Sequence, residues 1–186
     1  MEGLTLYIII GIIALIIIYI LLTLNKLIKL NNKVKEAFAT MDVYLKKRWD
    51  LIPNLVETVK GYAKHEKETL EEVIKMRSGD YDIMSDEEKI RANTKIAGGI
   101  SRIMALAESY PKLKANENFS NLAKELTKTE DEIAQSRKYY NATVRVFNNK
   151  VDMFPSNIFA KIFGYKDKSM FEASKDEREN VKVELW

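Results

Sequence analysis

The sequence predicts an all-α protein in which a single N-terminal transmembrane helix continues into an elongated antiparallel helical bundle. Three observations lead to this prediction. Residues 4–24 are uncharged and rich in Ile and Leu, apolar residues then recur at three- and four-residue steps, and the 186 residues include only three Pro and seven Gly. Because strands show a two-residue alternation and many-turned β folds need frequent turns, this pattern favours long helices over sheet.

The first predicted element is a membrane span over residues 4–24. A helix of these 21 residues is about 31 Å long, which matches the ~30 Å hydrocarbon core of a bilayer. A cleaved signal peptide would need a basic start and a small-residue cleavage site, and neither occurs here. The length of the span is marked by Leu4, Ile10, Leu15, Ile20 and Leu24.

Charges on either side of the span predict its orientation. Glu2 is the only charged side chain before the span, whereas four lysines follow it closely, namely Lys26, Lys29, Lys33 and Lys35. Because basic flanks stay in the cytoplasm, residues 1–3 are expected outside the cell membrane and the remainder inside. The lysines also carry the charge to contact anionic headgroups, although a role in topology and helix solvation is the simpler interpretation.

The membrane helix is expected to continue beyond the span. A heptad-like apolar stripe follows it, formed by Leu27, Leu30, Val34, Phe38, Met41, Leu45 and Trp49. Pro53 is unfavourable inside a helix beyond its first turn, and Asp50 is a suitable N-cap residue for a new helix. One helix is therefore expected to end near residues 47–49 and a second to begin near Leu51, with a kink in one continuous helix as the alternative.

Three further helices are predicted from apolar periodicity and end signals. The second ends near Ser78 and Gly79, and Ser85 with Glu88 forms a capping-box signature for the third. The adjacent Gly98 and Gly99 inside the third helix indicate a close approach of another helix or a local kink. The third helix ends at Tyr110–Pro111, and the fourth ends at Phe154–Pro155.

The domain boundaries follow from these elements. Residues 25–164 are predicted to form one cytoplasmic helical bundle, and residues 165–186 a polar C-terminal tail. The short apolar segment 156–163 ends in Gly164, which suits a helix C-terminus. We expect this segment to cap the bundle; binding to the membrane surface or to a partner is the alternative.

Composition argues against several classes of function. A net charge of +3 is far from that of a nucleic-acid binder, and the absence of Cys with only one His leaves little for metal or nucleophilic chemistry. The H-E-x-x-H motif fails because position 69 is Thr, and no phosphate-binding glycine motif occurs. We therefore predict no catalytic residue, no metal, no cofactor, no small-molecule substrate and no enzymatic activity.

Polar residues at helical spacing form one candidate site. Asn54 and Glu57 share a face of the second predicted helix, and the fourth carries Glu130, Arg137, Asn141 and Asn148 on one face. If the two helices pack together, these side chains are expected to form an interhelical hydrogen-bonded network that fixes helix register. The alternative is a solvated face with ordinary pairs along each helix.

Several sequence motifs resemble those of the LemA family of bacterial membrane proteins. They are KRWDLIPNLVETVKGYA at residues 47–63, ESYPKLKANENF at 108–119, RKYYN at 137–141 and FPSN at 154–157. The resemblance implies one N-terminal membrane helix with its N-terminus outside and a helical bundle in the cytoplasm. It implies no established reaction, so it indicates a fold and a location more than an activity.

These observations together predict a membrane-anchored, non-enzymatic helical scaffold or interaction protein of the LemA type. A membrane-organising role is a specific version of this prediction. The expected partners are the lipid bilayer, further copies of the chain through its heptad surface, and a protein that the sequence does not identify. The alternative is a regulatory or signalling subunit that acts on a cytoplasmic enzyme at the inner membrane.

Overall fold

A computed structural model describes residues 2–171, and the fold given below is that of this range. The elements in chain order are α1 (Glu2–Lys60), α2 (Lys67–Met76), a 3-10 turn (Tyr81–Ile83), α3 (Asp86–Glu108), α4 (Pro111–Lys114), α5 (Glu117–Asp152) and α6 (Ser156–Ile162). No strand occurs in residues 2–171, and the all-α prediction is confirmed. Residues 172–186 of the predicted tail lie outside the described residues.

The longest element, α1, joins the apolar segment to the heptad stripe without interruption. Its 59 residues include Pro53, and helical structure continues through this proline to Lys60. The expected boundary between two helices at residues 47–51 is therefore wrong. The helix is continuous, as the alternative of a kink in one continuous helix requires, and the kink itself stays a prediction. The predicted second helix is instead divided further along, because α1 ends at Lys60 and α2 begins at Lys67.

A tertiary contact explains how α1 accommodates Pro53. Proline has no backbone N–H, so the carbonyl oxygen of Trp49, four residues earlier, loses its usual helical partner. The Arg77 side chain, just after α2, donates from Nε to this oxygen at 3.2 Å. The Arg77 guanidinium also lies 5.4 Å from the Trp49 ring centroid, and its Nη2 lies 3.7 Å from the Asp50 carboxylate.

One of two packing units comprises described residues 2–38 and 138–170. Its core combines the first part of α1 with the end of α5 and with α6, through Leu27, Val34, Ala37, Phe38, Tyr140, Val144, Phe147, Val151 and Ala160. Phe38 and Tyr140 meet edge to face with ring centroids 5.7 Å apart. The segment after α6 is attached to α5, because Lys168 N donates to Asn148 Oδ1 and Asn148 Nδ2 donates to Lys168 O, both at 3.0 Å.

The other unit comprises residues 39–137 together with Phe171. Its buried residues come from the rest of α1, α2, α3, α4 and the first part of α5, including Leu45, Trp49, Ile52, Val59, Val73, Ile96, Ile103, Leu113, Leu126 and Ile133. The capping box at Ser85 and Glu88 is present. A Cβ added to Gly99 would lie 3.2 Å from the Val73 side chain, which confirms close helix approach at Gly99.

The bond between Arg77 and the Trp49 carbonyl predicts energetic coupling between positions 77 and 53. In a Pro53→Ala background the alanine N–H can donate to this oxygen, so the loss caused by Arg77→Ala should be smaller than in the parent. The difference should be about 1 kcal/mol, or about 2–4 °C in Tm for a chain of this size. Thermal unfolding of the parent, both single variants and the double variant, in detergent, measures it.

The ion pair and the ring contact of Arg77 are lost in both backgrounds, so they cancel in this cycle. Arg102→Ala is the matched control, because Arg102 pairs with Glu72 on the surface at 2.9 Å. Its effect should be the same with Pro53 and with Ala at position 53. Equal losses for Arg77→Ala in the two backgrounds would mean that Arg77 does not compensate for the proline.

Candidate functional site

The first surface of interest is the N-terminal part of α1, which is apolar and exposed. Leu4, Ile10 and Leu15 are 69%, 54% and 68% exposed, whereas Ile20 and Leu24 are half-buried. The core helix of a soluble protein would be mostly buried. In contrast, no residue is buried in the most hydrophobic 18-residue stretch of α1. By length and composition, this is the one helix in residues 2–171 that could cross a membrane.

Lysines border this apolar surface on α1. Lys26, Lys29, Lys33 and Lys35 are all exposed and begin two residues after Leu24. Between them the helix buries Leu27 and Val34, so apolar and basic positions occupy different faces. Their role in topology or headgroup contact stays a prediction.

The second feature is a buried cation, Arg48, on α1. Its side chain has no exposed surface. Nε and Nη2 donate to Asn93 Oδ1 at 3.3 and 3.1 Å, Nη2 also donates to the Asn93 carbonyl oxygen at 2.8 Å, and Nη1 donates to Glu130 Oε2 at 2.5 Å. Burial lowers the pKa of Arg48, and the Glu130 carboxylate opposes this effect. The guanidinium therefore joins α1, α3 and α5 within one unit.

Asn93 extends the network toward a second group of polar side chains. Its Nδ2 donates to the Lys89 carbonyl oxygen at 3.1 Å, and Lys89 Nζ donates to Asp42 Oδ2 at 2.7 Å. The buried Tyr81 hydroxyl donates to Asp42 Oδ1 at 2.7 Å. Burial, then the hydrogen bond to Asp42, raises the pKa of Tyr81 well above its usual value. We call this set, Asp42, Arg48, Tyr81, Lys89, Asn93 and Glu130, the Arg48 network.

The geometry of the Arg48 network suits a structural role. Its central cation is enclosed and makes four hydrogen bonds to acceptors on two other helices. A guanidinium presents its donors in a fixed planar fork, so the acceptors must be correctly placed along α3 and α5. The network can therefore fix the register of three helices. Within residues 2–171, no group of three or more His, Asp and Glu side chains could hold a metal ion.

The structure places the polar residues predicted to form an interhelical network on α1 and α5, and their common network stays a prediction. Asn54 and Glu57 are exposed, and Glu57 Oε1 accepts from Lys60 Nζ at 3.3 Å, on the same helix. Glu130 belongs instead to the Arg48 network.

The remaining predicted positions on α5 are half-buried. Asn148 bonds the backbone of Lys168, and Arg137 lies 5.1 Å from the Phe171 ring. Asn141 also lies on this helix. Glu130 is thus a member of the predicted set that accepts a hydrogen bond from Arg48.

Arg48 and Asn93 were not among the predicted network residues, although the sequence carries a signal for Arg48. Residues 27, 34, 41 and 55 are buried apolar residues at seven-residue steps, and position 48 continues the same series. A charged residue at a core heptad position is the pattern of a buried polar contact that specifies register. Asn93 has no such signal, because its role depends on the placement of α3 against α1.

A groove lies between the end of α1 and α2. Its volume is about 670 Å³. Apolar side chains lie beside charged ones in its lining, which consists of Val56, Glu57, Lys60, Gly61, Ala63, Lys64, Lys67, Leu70, Glu71 and Ile74. Ile74 is half exposed. The groove thus presents apolar area with charges of both signs around it.

An all-helical chain with one exposed apolar helix and an enclosed structural network is a membrane-associated helical protein. Comparison of its sequence with known families is more specific. The LemA family model matches residues 37–185. The chain therefore belongs to the LemA family, as its sequence motifs predicted.

Individual relatives agree with this assignment. Protein LemA of Metamycoplasma hominis is 27% identical over 158 residues, covering 84% of this chain and 72% of that protein. Magnetosome protein MamQ 2 of Paramagnetospirillum magneticum is 29% identical over 91 residues, covering 49% of this chain and 34% of that protein. MamQ of Magnetospirillum gryphiswaldense is 23% identical over 173 residues, covering 79% and 64%.

The Arg48 network predicts that Asn93 is important for the stability of the fold. Asn93→Leu keeps similar volume but removes the acceptor of two guanidinium donors, so a buried charge loses hydrogen bonds. The free energy of unfolding should fall by about 2–4 kcal/mol. Denaturant unfolding in detergent measures the change. Asn121→Leu, at an exposed position of α5, should alter it by less than about 0.5 kcal/mol.

Adding Arg48→Met to Asn93→Leu separates the loss of the bonds from a loss of packing. The second substitution removes the buried charge itself and leaves Glu130, which is 45% exposed, in contact with water. Most of the lost stability should return, because an apolar replacement of a buried ion is often neutral or favourable. An Asn93→Leu variant as stable as the parent would contradict the role assigned to this network.

Proposed function

We propose that this protein is a membrane-anchored, non-enzymatic helical interaction protein, with residues 4–24 as its single span. The observation that carries the proposal is the dual use of α1. Its first part exposes an apolar surface, and the same unbroken helix supplies buried residues such as Leu27 and Trp49 to both packing units. We propose that lipid surrounds the exposed part, because apolar surface of this extent is unfavourable in water.

The proposed orientation places the N-terminus outside and the helices after the span in the cytoplasm. The support is the exposed series Lys26, Lys29, Lys33 and Lys35 directly after the apolar segment. Similarity to proteins named LemA and MamQ supports association with a membrane. The single-pass arrangement in the cell membrane is our proposal from these features.

A structural rather than chemical role is proposed for the part beyond the span. Its central charged group, Arg48, is enclosed and hydrogen bonded, so it is not available to a substrate. His65, the single histidine, lies exposed in the turn between α1 and α2. We propose that the folded helices present surfaces to further copies of the chain, so that the protein assembles into a scaffold.

The second candidate function is that of a regulatory subunit with one protein partner. The groove between α1 and α2 favours this alternative, because it combines the half-exposed Ile74 with charged residues around it. A partner helix with one apolar face would match such a surface. The scaffold and the regulator differ in whether copies of this chain bind one another.

Cysteine labelling tests the proposed topology, and the absence of Cys from the sequence makes single-cysteine variants free of background. Gly3→Cys and Val43→Cys place thiols before and after the span, and position 43 is 65% exposed. A membrane-impermeant maleimide should label position 3 in intact spheroplasts and position 43 only after lysis. The reverse pattern would contradict the orientation, and labelling of both positions before lysis would contradict a span.

Mass measurement tests the proposed scaffold against the regulator. Light scattering coupled to size-exclusion chromatography, on the full chain in detergent, should give a uniform multiple of the 21.5 kDa chain mass. A protein that stays monomeric over the accessible concentration range would contradict the scaffold. A monomer that co-purifies with one enzyme would instead support the regulatory subunit.

A further inference from the structure

The end of α5 and the short helix α6 carry an exposed apolar patch. Its members, called here the α6 patch, are Met153, Phe154, Ile158, Ile162 and Phe163, with exposures of 62%, 79%, 47%, 68% and 53%. On α6 itself the buried residues are the small Ser156 and Ala160. Segment 156–163 was expected to cap the bundle, but most of its large apolar side chains point away from the core.

The helix α6, which carries Ile158 and Ile162 of the α6 patch, lies beside the apolar segment of α1. The Phe159 ring of α6 packs against the Tyr19 ring with centroids 6.3 Å apart, and both residues belong to the same packing unit. Tyr19 precedes Leu24, the end of the predicted span, by five residues, or about 7.5 Å along a helix. This helix is therefore level with the last turns of the apolar segment, rather than beyond its end.

Burial along α1 leads to the same conclusion from a different observation. Residues 4–19 are exposed, whereas Ile20 is half-buried and Thr23 is only 4% exposed, so protein begins to cover α1 before the apolar segment ends. The uncovered stretch of 16 residues is about 24 Å long, shorter than the ~30 Å hydrocarbon core. A full span therefore brings residues 20–24, and the structure beside them, into the bilayer.

We propose that the α6 patch is a second membrane contact, which inserts into the interface of the leaflet on the bundle side of the span. The inference rests on the proposed function, because it requires α1 to cross the bilayer. Interfacial helices bury their apolar face about 5–10 Å into the boundary between headgroups and acyl chains, which matches the depth of Tyr19.

Charged residues around the patch fit this placement. Lys161 on α6 and Lys166 after it are exposed, as are Lys26 and Lys29 on α1. Lysines at this level can extend to anionic headgroups while the neighbouring apolar side chains enter the acyl region. The occupant of the patch is thus lipid, and the protein contacts the membrane through both α1 and α6.

Site-directed spin labelling of the full chain in vesicles tests the inference. Single-cysteine variants Ile158→Cys and Ile162→Cys report on the patch, Leu15→Cys on the middle of the span, and Val43→Cys on water. The vesicles contain phosphatidylcholine and phosphatidylglycerol, and accessibility to oxygen is compared with accessibility to a water-soluble nickel chelate. Circular dichroism checks that each labelled variant keeps the helical content of the parent.

The ratio of oxygen to nickel accessibility at positions 158 and 162 should clearly exceed that at 43 and approach, without exceeding, that at 15, as expected for side chains just below the headgroups. A water-like ratio at 158 and 162, with a lipid-like ratio at 15, would overturn the inference and leave the anchor intact. A water-like ratio at 15 would overturn the anchor itself. Protection of 158 and 162 from both reagents would mean that protein covers the patch, and would also overturn the inference.

Discussion

One helix with two different side-chain environments is the constraint on which the rest of this structure depends. The first part of α1 exposes Ile and Leu on every side, whereas its later part buries only one stripe against protein. Both requirements are met by the same unbroken hydrogen-bonded backbone, because a helix satisfies its own polar groups in lipid and in a protein core alike. The change from exposed to buried surroundings is therefore made by side chains alone, between Tyr19 and Leu27.

The later part of α1 contains two residues that are unfavourable in the middle of a buried helix, and other elements satisfy both. Arg48 brings a charge into the core, and Asn93 and Glu130 supply acceptors for it. Pro53 removes a backbone donor, and Arg77 supplies another donor to the carbonyl of Trp49. Because each contact comes from a different helix or loop, these two positions determine how α2, α3 and α5 are placed around α1.

Much of this fold could be predicted from local sequence properties, whereas its polar centre could not. The uncharged run, the heptad stripe and the Ser85 cap depend on near neighbours, so the all-α class, the third predicted helix and its capping box were predicted correctly. The expected break at Asp50–Pro53 was wrong because Arg77, distant in sequence, offsets the missing donor. Asn93 could not be predicted, since its burial depends on which face of α3 meets α1.

Hydrogen exchange in lipid nanodiscs tests most directly whether α1 is one continuous helix from the apolar segment into the core. A continuous helix predicts slow exchange of backbone amides from residue 8 to residue 57, with no interval of rapid exchange around Pro53. Protection should persist there because the flanking residues Trp49, Ile52 and Leu55 are buried. Rapid exchange confined to residues 47–54, between two protected segments, would show two helices joined by a turn and would contradict the central claim.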